Sequence, residues 1–303
     1  MIEMNPQNKN KLVLHYDMTL ACNLRCSYCF KLPELDNKKL FNEEVYNDTL
    51  NAVVNFKNKN PNIDITLDLI GGDSFMVIDK AIHFMDTLEK NNIKSVCFTN
   101  FSFDKNSQNQ EILKINNYMN SHELFLLNVS WHQFANQDWI KENLLILDKS
   151  VVVLFVLSDN NIDFVFECTQ WLKQNTKHNY VFEYIRDSFD TKEFESFENE
   201  KFKIISQNSL NSTMSDKINL LDNIQYDAAE SKQMDFVNIA KNFHTICELS
   251  QLRIDYNGNI HSTCGYNFEG GNVKNGIPPL KSVYCNSSCI CGTYNYKKIG
   301  KER

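Results

Sequence analysis

The sequence predicts an α/β fold in which six β-strands alternate with helices over residues 1–187. Two observations support this prediction. Segments whose apolar residues have the spacing of a strand alternate with segments whose apolar residues have the spacing of a helix. Glycine or polar residues follow the predicted strands. Strands that alternate with helices in this way form parallel sheets with right-handed crossovers, either open or closed as a barrel.

The elements follow in order along the chain. The first strand is predicted at residues 11–19 and leads into a loop with three cysteines. The next element is a helix at residues 42–59, for which Asn42 is a suitable N-cap. The remaining predictions are strands at 63–70, 95–98, 124–129, 150–157 and 180–185, and helices at 79–91, 109–119, 137–147 and 163–175.

Composition limits the classes of function. The chain has 303 residues and a net charge of −7, so it lacks the basic surface that nucleic-acid binding requires. Residues 1–10 are polar and do not form a signal peptide, and the longest apolar run, residues 151–157, is too short to cross a membrane. We expect a cytoplasmic protein with no membrane or nucleic-acid partner, whose ten cysteines are reduced or metal-bound.

The loop after the first strand carries Cys22, Cys26 and Cys29 in the spacing C-x3-C-x2-C. Three thiolates can hold a [4Fe-4S] cluster at three of its irons and leave the fourth iron open to a ligand. Structural zinc sites usually fill four positions with two C-x2-C pairs, and no fourth Cys or His follows nearby. His15 precedes the loop on the predicted strand. A zinc site and three unconnected thiols remain the alternatives.

This spacing, with Tyr28 at the aromatic position of C-x3-C-x-Φ-C, resembles the hallmark of the radical S-adenosylmethionine (SAM) superfamily. The resemblance implies a partial (β/α)6 TIM-like barrel, whose strand count matches the prediction. It also implies that the three cysteines bind a [4Fe-4S] cluster and that SAM chelates the fourth iron. One electron then cleaves SAM to methionine and a 5′-deoxyadenosyl radical, which abstracts a hydrogen atom from the substrate.

The resemblance further implies which residues contact SAM. In the superfamily, Gly-Gly-Glu after the second strand contacts the SAM amino group; here the turn is Gly71-Gly72-Asp73, with a side chain one methylene shorter. Asn100 and Ser130, after the third and fourth strands, match positions that contact the ribose or carboxylate of SAM, although both residue types are also common in turns. The predicted SAM site comprises these five residues and Tyr28.

No catalytic side chain is assigned, because the cofactor carries the difficult chemistry and the protein positions the substrate. His132 has two interpretations, a proton donor or acceptor that faces the substrate, or a structural histidine. Cys97 and Cys168 fall within a predicted strand and a predicted helix, and we interpret them as small core residues.

Five cysteines return near the C-terminus. Residues 253–260 contain Asn257-Gly258 between β-prone segments, which is a strong hairpin signal. Such a hairpin would bring Cys247 and Cys264 together at its open end. Cys289 and Cys291 can then complete a four-thiolate site for an iron-sulfur cluster or for zinc.

This region resembles the twitch or SPASM extension of the superfamily, which implies an auxiliary [4Fe-4S] cluster at Cys247, Cys264, Cys289 and Cys291. Cys285 is then a spare ligand or a hydrogen-atom donor to a substrate radical. The predicted division is a radical SAM barrel at 1–187, a linker or lid with a helix at 188–242, and a small cysteine-rich β-hairpin/helix extension at 243–303. Within the linker, residues 189–211 are a polar stretch and 220–242 a helix.

The resemblance implies a radical SAM oxidoreductase or modifying enzyme. Our first expectation for its substrate is a ribosomal peptide or a natural-product precursor, and the alternative is dehydrogenation or epimerisation of a sugar or amino acid derivative. The expected partners are an electron donor such as flavodoxin or ferredoxin and, for a peptide substrate, a separate leader-peptide-binding protein. A hypothesis of another class is a non-catalytic zinc-binding protein.

Overall fold

The structure is a computed structural model of the 303-residue chain. It describes residues 11–29, 31–157, 161–184, 245–248, 251–262, 269–279 and 282–285. The predicted helix at 220–242 and the polar stretch at 189–211 lie outside these residues. In the described part, no helix has the length and hydrophobicity that a membrane-spanning segment needs.

The predicted alternation of strands and helices is confirmed. Each strand from β1 to β6 pairs in parallel with the next. The strands are β1 (Lys11–Thr19), β2 (Asp64–Gly71), β3 (Lys94–Thr99), β4 (Phe125–Ser130), β5 (Val152–Leu157) and β6 (Asn179–Tyr184). The helices between them are α1 (Glu43–Lys59), α2 (Ile78–Lys90), α3 (Lys105–Ser121), α4 (Gln137–Ile146) and α5 (Ile162–Asn175). The result is a partial TIM-like barrel.

Helix α1 begins where the sequence predicts. The Asn42 side chain accepts a hydrogen bond from the backbone amide of Val45 at 3.3 Å and satisfies one of the free N–H groups of the first turn. Glu43 and Glu44 occupy the positive end of the helix dipole, whereas lysines occupy its last turn. The helix therefore carries its own start signal, independent of its packing against the sheet.

The two faces of the sheet have different roles. On the outer face, alternate strand residues such as Leu12, Leu14 and Leu67 are fully buried against the helices, which contribute Phe84 and Leu144 among others. The intervening residues occupy the inner face, and several of them are polar: His15, Asp17, Asp68 and Asn128. On this face His15 Nδ1 lies 3.0 Å from Asp68 Oδ2, on the neighbouring strand.

The loop after β3 has an unusual backbone that a neighbouring helix holds in place. Phe101 is fully buried and adopts a left-handed φ of 53°, which is uncommon for a residue with a side chain. The amide of Asn143, on α4, donates to the carbonyls of Phe101 at 3.0 Å and Phe103 at 2.8 Å. These bonds fix the direction of the chain immediately after Asn100.

The C-terminal hairpin joins the sheet of the barrel. Strands β8 (Gln251–Ile254) and β9 (Asn259–Ser262) pair in an antiparallel manner, and β10 (Glu269–Asn272) adds to β9. Strand β8 also pairs in parallel with β1, which gives the strand order β10-β9-β8-β1-β2-β3-β4-β5-β6. Two further strands, β7 (Thr245–Glu248) and β11 (Ser282–Cys285), form a separate antiparallel pair.

The turn of this hairpin contains the predicted Asn257-Gly258 but spans more residues. Gly258 has a φ of 82°, and its amide donates to the Asp255 carbonyl at 2.9 Å. The Asp255 carboxylate accepts from the amides of Asn257 and Asn259, both at 2.9 Å. An aspartate that bonds the backbone two residues ahead thus shapes the turn together with the glycine.

Candidate functional site

The three cysteines of the N-terminal motif lie on one loop at the carboxyl end of β1. Cys26 is buried, and Cys22 and Cys29 are partly exposed. A turn in which the Cys29 amide donates to the Cys26 carbonyl at 3.0 Å brings these two residues close together. The Leu24 amide points at Cys22 Sγ over 3.4 Å, as expected for a sulfur that carries negative charge when it binds metal.

The glycine turn after β2 holds the start of this loop by backbone contacts. The Gly72 amide donates to the Thr19 carbonyl and the Asp73 amide donates to the Ala21 carbonyl, both at 2.7 Å. A Cβ atom on Gly72 would lie 2.0 Å from the Ala21 carbonyl oxygen. Gly71, with a φ of 116°, approaches Thr19 almost as closely. Only glycine permits this contact one residue before Cys22.

Asp73 is directed at the end of the neighbouring strand. Its Oδ1 accepts from the Phe75 amide at 2.9 Å and caps the short 3-10 turn at Ser74–Val77. Its Oδ2 accepts from the Asn100 amide at 2.7 Å and from Thr99 Oγ1 at 3.2 Å. Burial raises the pKa of Asp73 to about 6, and these hydrogen bonds oppose the rise. The predicted contact between its carboxylate and SAM stays a prediction.

Asn100 lies beside the cysteine loop. Its side-chain amide donates to Asn23 Oδ1 at 2.7 Å and is 3.8 Å from Cys22 Sγ. The side-chain oxygen Oδ1 of Asn100 accepts from the Ser102 backbone amide at 2.9 Å, and Asn23 Nδ2 donates to the Ser102 backbone carbonyl at 2.8 Å. The loop after β3 and the loop after β1 are therefore one hydrogen-bonded unit, which brings predicted SAM-site and cluster residues together.

Tyr28 extends across the loop toward the carboxyl end of β4. Its hydroxyl lies 2.7 Å from Nδ1 of His132, and its ring lies 5.7 Å from that of Phe134. Burial lowers the pKa of His132 to about 4, so the imidazole is neutral near pH 7 and shares one hydrogen bond with the Tyr28 hydroxyl. Ser130 is the last residue of β4, two positions before His132.

The electrostatics of the cysteine loop favour neutral thiols, and among the described residues no three His, Cys, Asp or Glu side chains are already gathered as a metal site. Burial raises the pKa of Cys22 to about 11 and that of Cys26 to about 12, and it also raises the pKa of Cys29. The protein alone therefore does not favour thiolates here, although Arg25 lowers the pKa of Cys22 and Cys29 slightly. Iron would supply the missing positive charge, and a set of three thiolates matches three irons of a [4Fe-4S] cluster.

The C-terminal cysteines are described only in part. Cys247 lies on β7 opposite Val283, and Cys285 lies on β11 opposite Thr245. Cys264, Cys289 and Cys291 are outside the described residues. The auxiliary ligand set therefore stays a prediction.

Sequence reasoning missed a group of charged residues beneath the cysteine loop. Lys31, two positions after Cys29, and Arg253, on β8, both donate to the buried carboxylate of Asp17. Lys31 lies near enough to the motif to be noticed. No local pattern links Arg253 to a residue 236 positions earlier.

Substitution of Gly72 tests the backbone contact. We expect Gly72→Ala to displace residues 19–22, to destabilise the protein by about 1–3 kcal/mol and to lower the iron bound per chain after reconstitution. Denaturant unfolding and iron analysis measure both effects. The control is Gly276→Ala, which should bind as much iron as wild type: its φ of 86° makes an alanine there strained, but its Cβ atom would meet nothing within 4 Å, so stability can fall without a clash at the cysteine loop. Full iron content in Gly72→Ala would contradict the structural role.

Asp73→Glu recreates the Gly-Gly-Glu of the superfamily and tests the confinement of this carboxylate. Because Asp73 is 1% exposed and both oxygens are hydrogen-bonded, the added methylene should cost about 1–3 kcal/mol of unfolding free energy. Asp73→Asn keeps the size but places a donor where an acceptor is needed, and we expect a loss of about 1–3 kcal/mol. Denaturant titration measures both, and a Glu variant as stable as wild type would refute the confinement.

Comparisons with known proteins bear on the fold that carries this site. A family model described as a 4Fe-4S single cluster domain matches residues 13–138. No curated protein sequence matches the chain at a significant level.

Solved structures with a similar fold include two of anSMEcpe with bound AdoMet, one carrying a histidine tag and one native. Both are 15% identical and cover 88% of this chain and 78% of theirs, with TM-scores of 0.53 and 0.52. Streptococcus suis SuiB bound to S-adenosylmethionine has a TM-score of 0.52 and 12% identity, over 83% of this chain and 58% of its own. The match to the 4Fe-4S single cluster domain over residues 13–138 and the architecture shared with these AdoMet-bound proteins support the prediction made from the cysteine motif: the chain has the fold of radical SAM proteins.

Proposed function

We propose that the protein is a radical SAM enzyme that uses a [4Fe-4S] cluster at Cys22, Cys26 and Cys29. The observation that carries this proposal is that hydrogen bonds hold the cysteine loop, the glycine turn and Asn100 together at one edge of the sheet. Two structural relatives bind AdoMet in the same fold, which supports a SAM site here. When bound, the cluster and SAM supply a 5′-deoxyadenosyl radical for hydrogen abstraction from the substrate.

The protein's own contribution is to hold and orient these groups. The backbone carbonyls at Gly71 and Gly72 are proposed to receive the SAM amino group. Asn100 and Ser130 are proposed to contact its ribose or carboxylate. Tyr28, fixed by its hydrogen bond to His132, offers an aromatic surface at the mouth of the site. Phe134, 45% exposed beside Tyr28, extends this apolar surface and helps to exclude water.

We further propose an auxiliary [4Fe-4S] cluster in the C-terminal extension, bound by Cys247, Cys264, Cys289 and Cys291. The confirmed hairpin between Cys247 and Cys264 supports this assignment. An electron donor such as flavodoxin or ferredoxin would reduce the SAM cluster.

A peptide is the proposed substrate class, and a leader-binding protein is the proposed partner that delivers it. This choice rests on the resemblance of the C-terminal region to the twitch or SPASM extension. A small sugar or amino acid derivative is the alternative substrate.

The variant Cys26→Ala tests the cluster and the radical chemistry together. After anaerobic reconstitution, wild-type protein should bind about eight irons and form 5′-deoxyadenosine from SAM with dithionite. The variant should bind about four irons and form 5′-deoxyadenosine only at background. Cys168→Ala is the matched control, because Cys168 is buried on α5 away from the loop. Zinc in place of iron, or SAM cleavage retained in Cys26→Ala, would overturn the proposal.

Deuterium transfer tests the substrate class. We expect 5′-deoxyadenosine to acquire deuterium from a pool of peptides built from deuterated amino acids, and not from the same amino acids supplied free or from deuterated sugars. Mass spectrometry of 5′-deoxyadenosine makes the measurement. Label that comes only from the free compounds would replace the peptide with a small metabolite and leave the radical chemistry intact.

A further inference from the structure

A buried carboxylate lies between the cysteine loop and the C-terminal hairpin. Asp17, near the carboxyl end of β1, has a fully buried side chain. Its Oδ2 atom accepts from Lys31 Nζ and from two nitrogens of Arg253, Nη2 at 2.6 Å and Nε at 3.0 Å. One carboxylate oxygen therefore joins two cations from distant parts of the chain.

Lys31 connects the cysteine loop to Asp17. It is 1% exposed, and its carbonyl accepts from the amides of Glu34 at 2.8 Å and Leu35 at 3.1 Å. The Leu32 amide in turn donates to the Cys29 carbonyl at 2.9 Å. A shift of Lys31 would therefore move the turn that follows the third cysteine.

Arg253 connects the C-terminal hairpin to Asp17. Strand β8 lies parallel to β1, with Arg253 opposite His15, and this register places the guanidinium beside Asp17. Arg253 is 25% exposed, so it closes the solvent side of the group. Glu34 lies within 3.6 Å of Arg253 and 3.1 Å of Lys31, and the four side chains balance two positive charges against two negative ones.

Loss of Arg253 would disturb this balance. Burial raises the pKa of Asp17 to about 7, and Arg253 is the strongest influence in the opposite direction. A buried ion pair that loses one partner leaves an uncompensated charge, which is strongly unfavourable. The remaining groups can relieve this only by a change of position or of protonation.

We propose that Arg253 is a positioning residue for the radical cluster, through which the C-terminal hairpin fixes the loop that carries Cys22, Cys26 and Cys29. The effect on catalysis rests on the proposed cluster. The structural connection between the hairpin and the loop rests only on the contacts of Asp17 with Lys31 and Arg253. The hairpin is then part of the cluster site and does more than carry a second metal.

Amide hydrogen exchange on the full-length protein, with and without reconstituted iron, tests the link. In Arg253→Met, we expect exchange at Leu32, Glu34 and Leu35 to accelerate about tenfold or more. Local opening of this turn breaks the group of four charged side chains in wild type, and it costs less free energy when Arg253 is absent. The control is Lys274→Met, which removes another ion pair between the C-terminal region and the barrel, Lys274 with Glu44 at 2.6 Å on the surface. It should leave exchange in this segment within about twofold of wild type.

Two further variants keep the test decisive if Arg253→Met folds poorly. Arg253→Lys retains the charge and should give an intermediate effect. Asp17→Asn combined with Arg253→Met restores the charge balance and should slow the exchange relative to Arg253→Met alone. Wild-type exchange in Arg253→Met, equal acceleration in Lys274→Met, or no rescue in the double variant would each overturn the proposal.

A second measurement separates this inference from the proposed function. Iron release to a chelator should be faster in Arg253→Met than in Lys274→Met. The electron paramagnetic resonance signal of the reduced cluster should change on SAM addition in proteins whose cysteine loop keeps its position, which are wild type and Lys274→Met. If wild-type protein binds no iron at this loop, the proposed function fails, and the exchange data still decide the link between hairpin and loop.

Discussion

The contact between the backbone at Thr19–Ala21 and the backbone at Gly72–Asp73 sets the geometry of the whole carboxyl edge of the sheet. Two hydrogen bonds of 2.7 Å continue the pairing of β1 and β2 beyond the strands themselves. The approach is so close that no side chain fits at Gly72. From this point the cysteine loop begins, and the polar contacts of Asp73, Asn100 and Asn23 extend outward from it.

Two buried aspartates at this edge, Asp73 and Asp17, have their carboxylates stabilised in different ways. Asp73 is surrounded by neutral donors from the next strand and from its own turn. Asp17 is instead held by two cations. Neutral donors tie neighbouring loops together locally, whereas paired cations reach across the chain. Both carboxylates serve as structural links beside the cysteines, in addition to the buried apolar residues of the loop itself.

Much of the fold was predictable because its signals are local. Strand periodicity, the Asn42 cap and the Asn257-Gly258 turn each lie within a few residues of the element that they specify. The placement of Asn100 beside Cys22 agrees with the rule that parallel strands bring their carboxyl ends to one edge.

The remaining features depend on distant partners. The pairing of β8 with β1 has no sequence signature, because a parallel neighbour is chosen by three-dimensional packing after the intervening chain has folded. The Asp17 group follows from that pairing and was missed with it. The direction of the Asp73 side chain was also not predicted, since its carboxylate caps the adjacent turn and bonds the next strand, and the motif alone does not specify these contacts.

The position of β8 has a consequence for synthesis of the protein. Until β8 emerges from the ribosome, β1 is an edge of the six-stranded sheet, with unpaired backbone groups along a strand that is largely buried in the finished protein. Gln251, the first residue of β8, is 67 residues beyond Tyr184, the last residue of β6, which corresponds to a delay on the order of three to thirteen seconds at ordinary translation rates. The nascent barrel is therefore exposed to wrong strand partners during this interval, and chaperone protection of β1 would matter most before the last strands of the sheet are made.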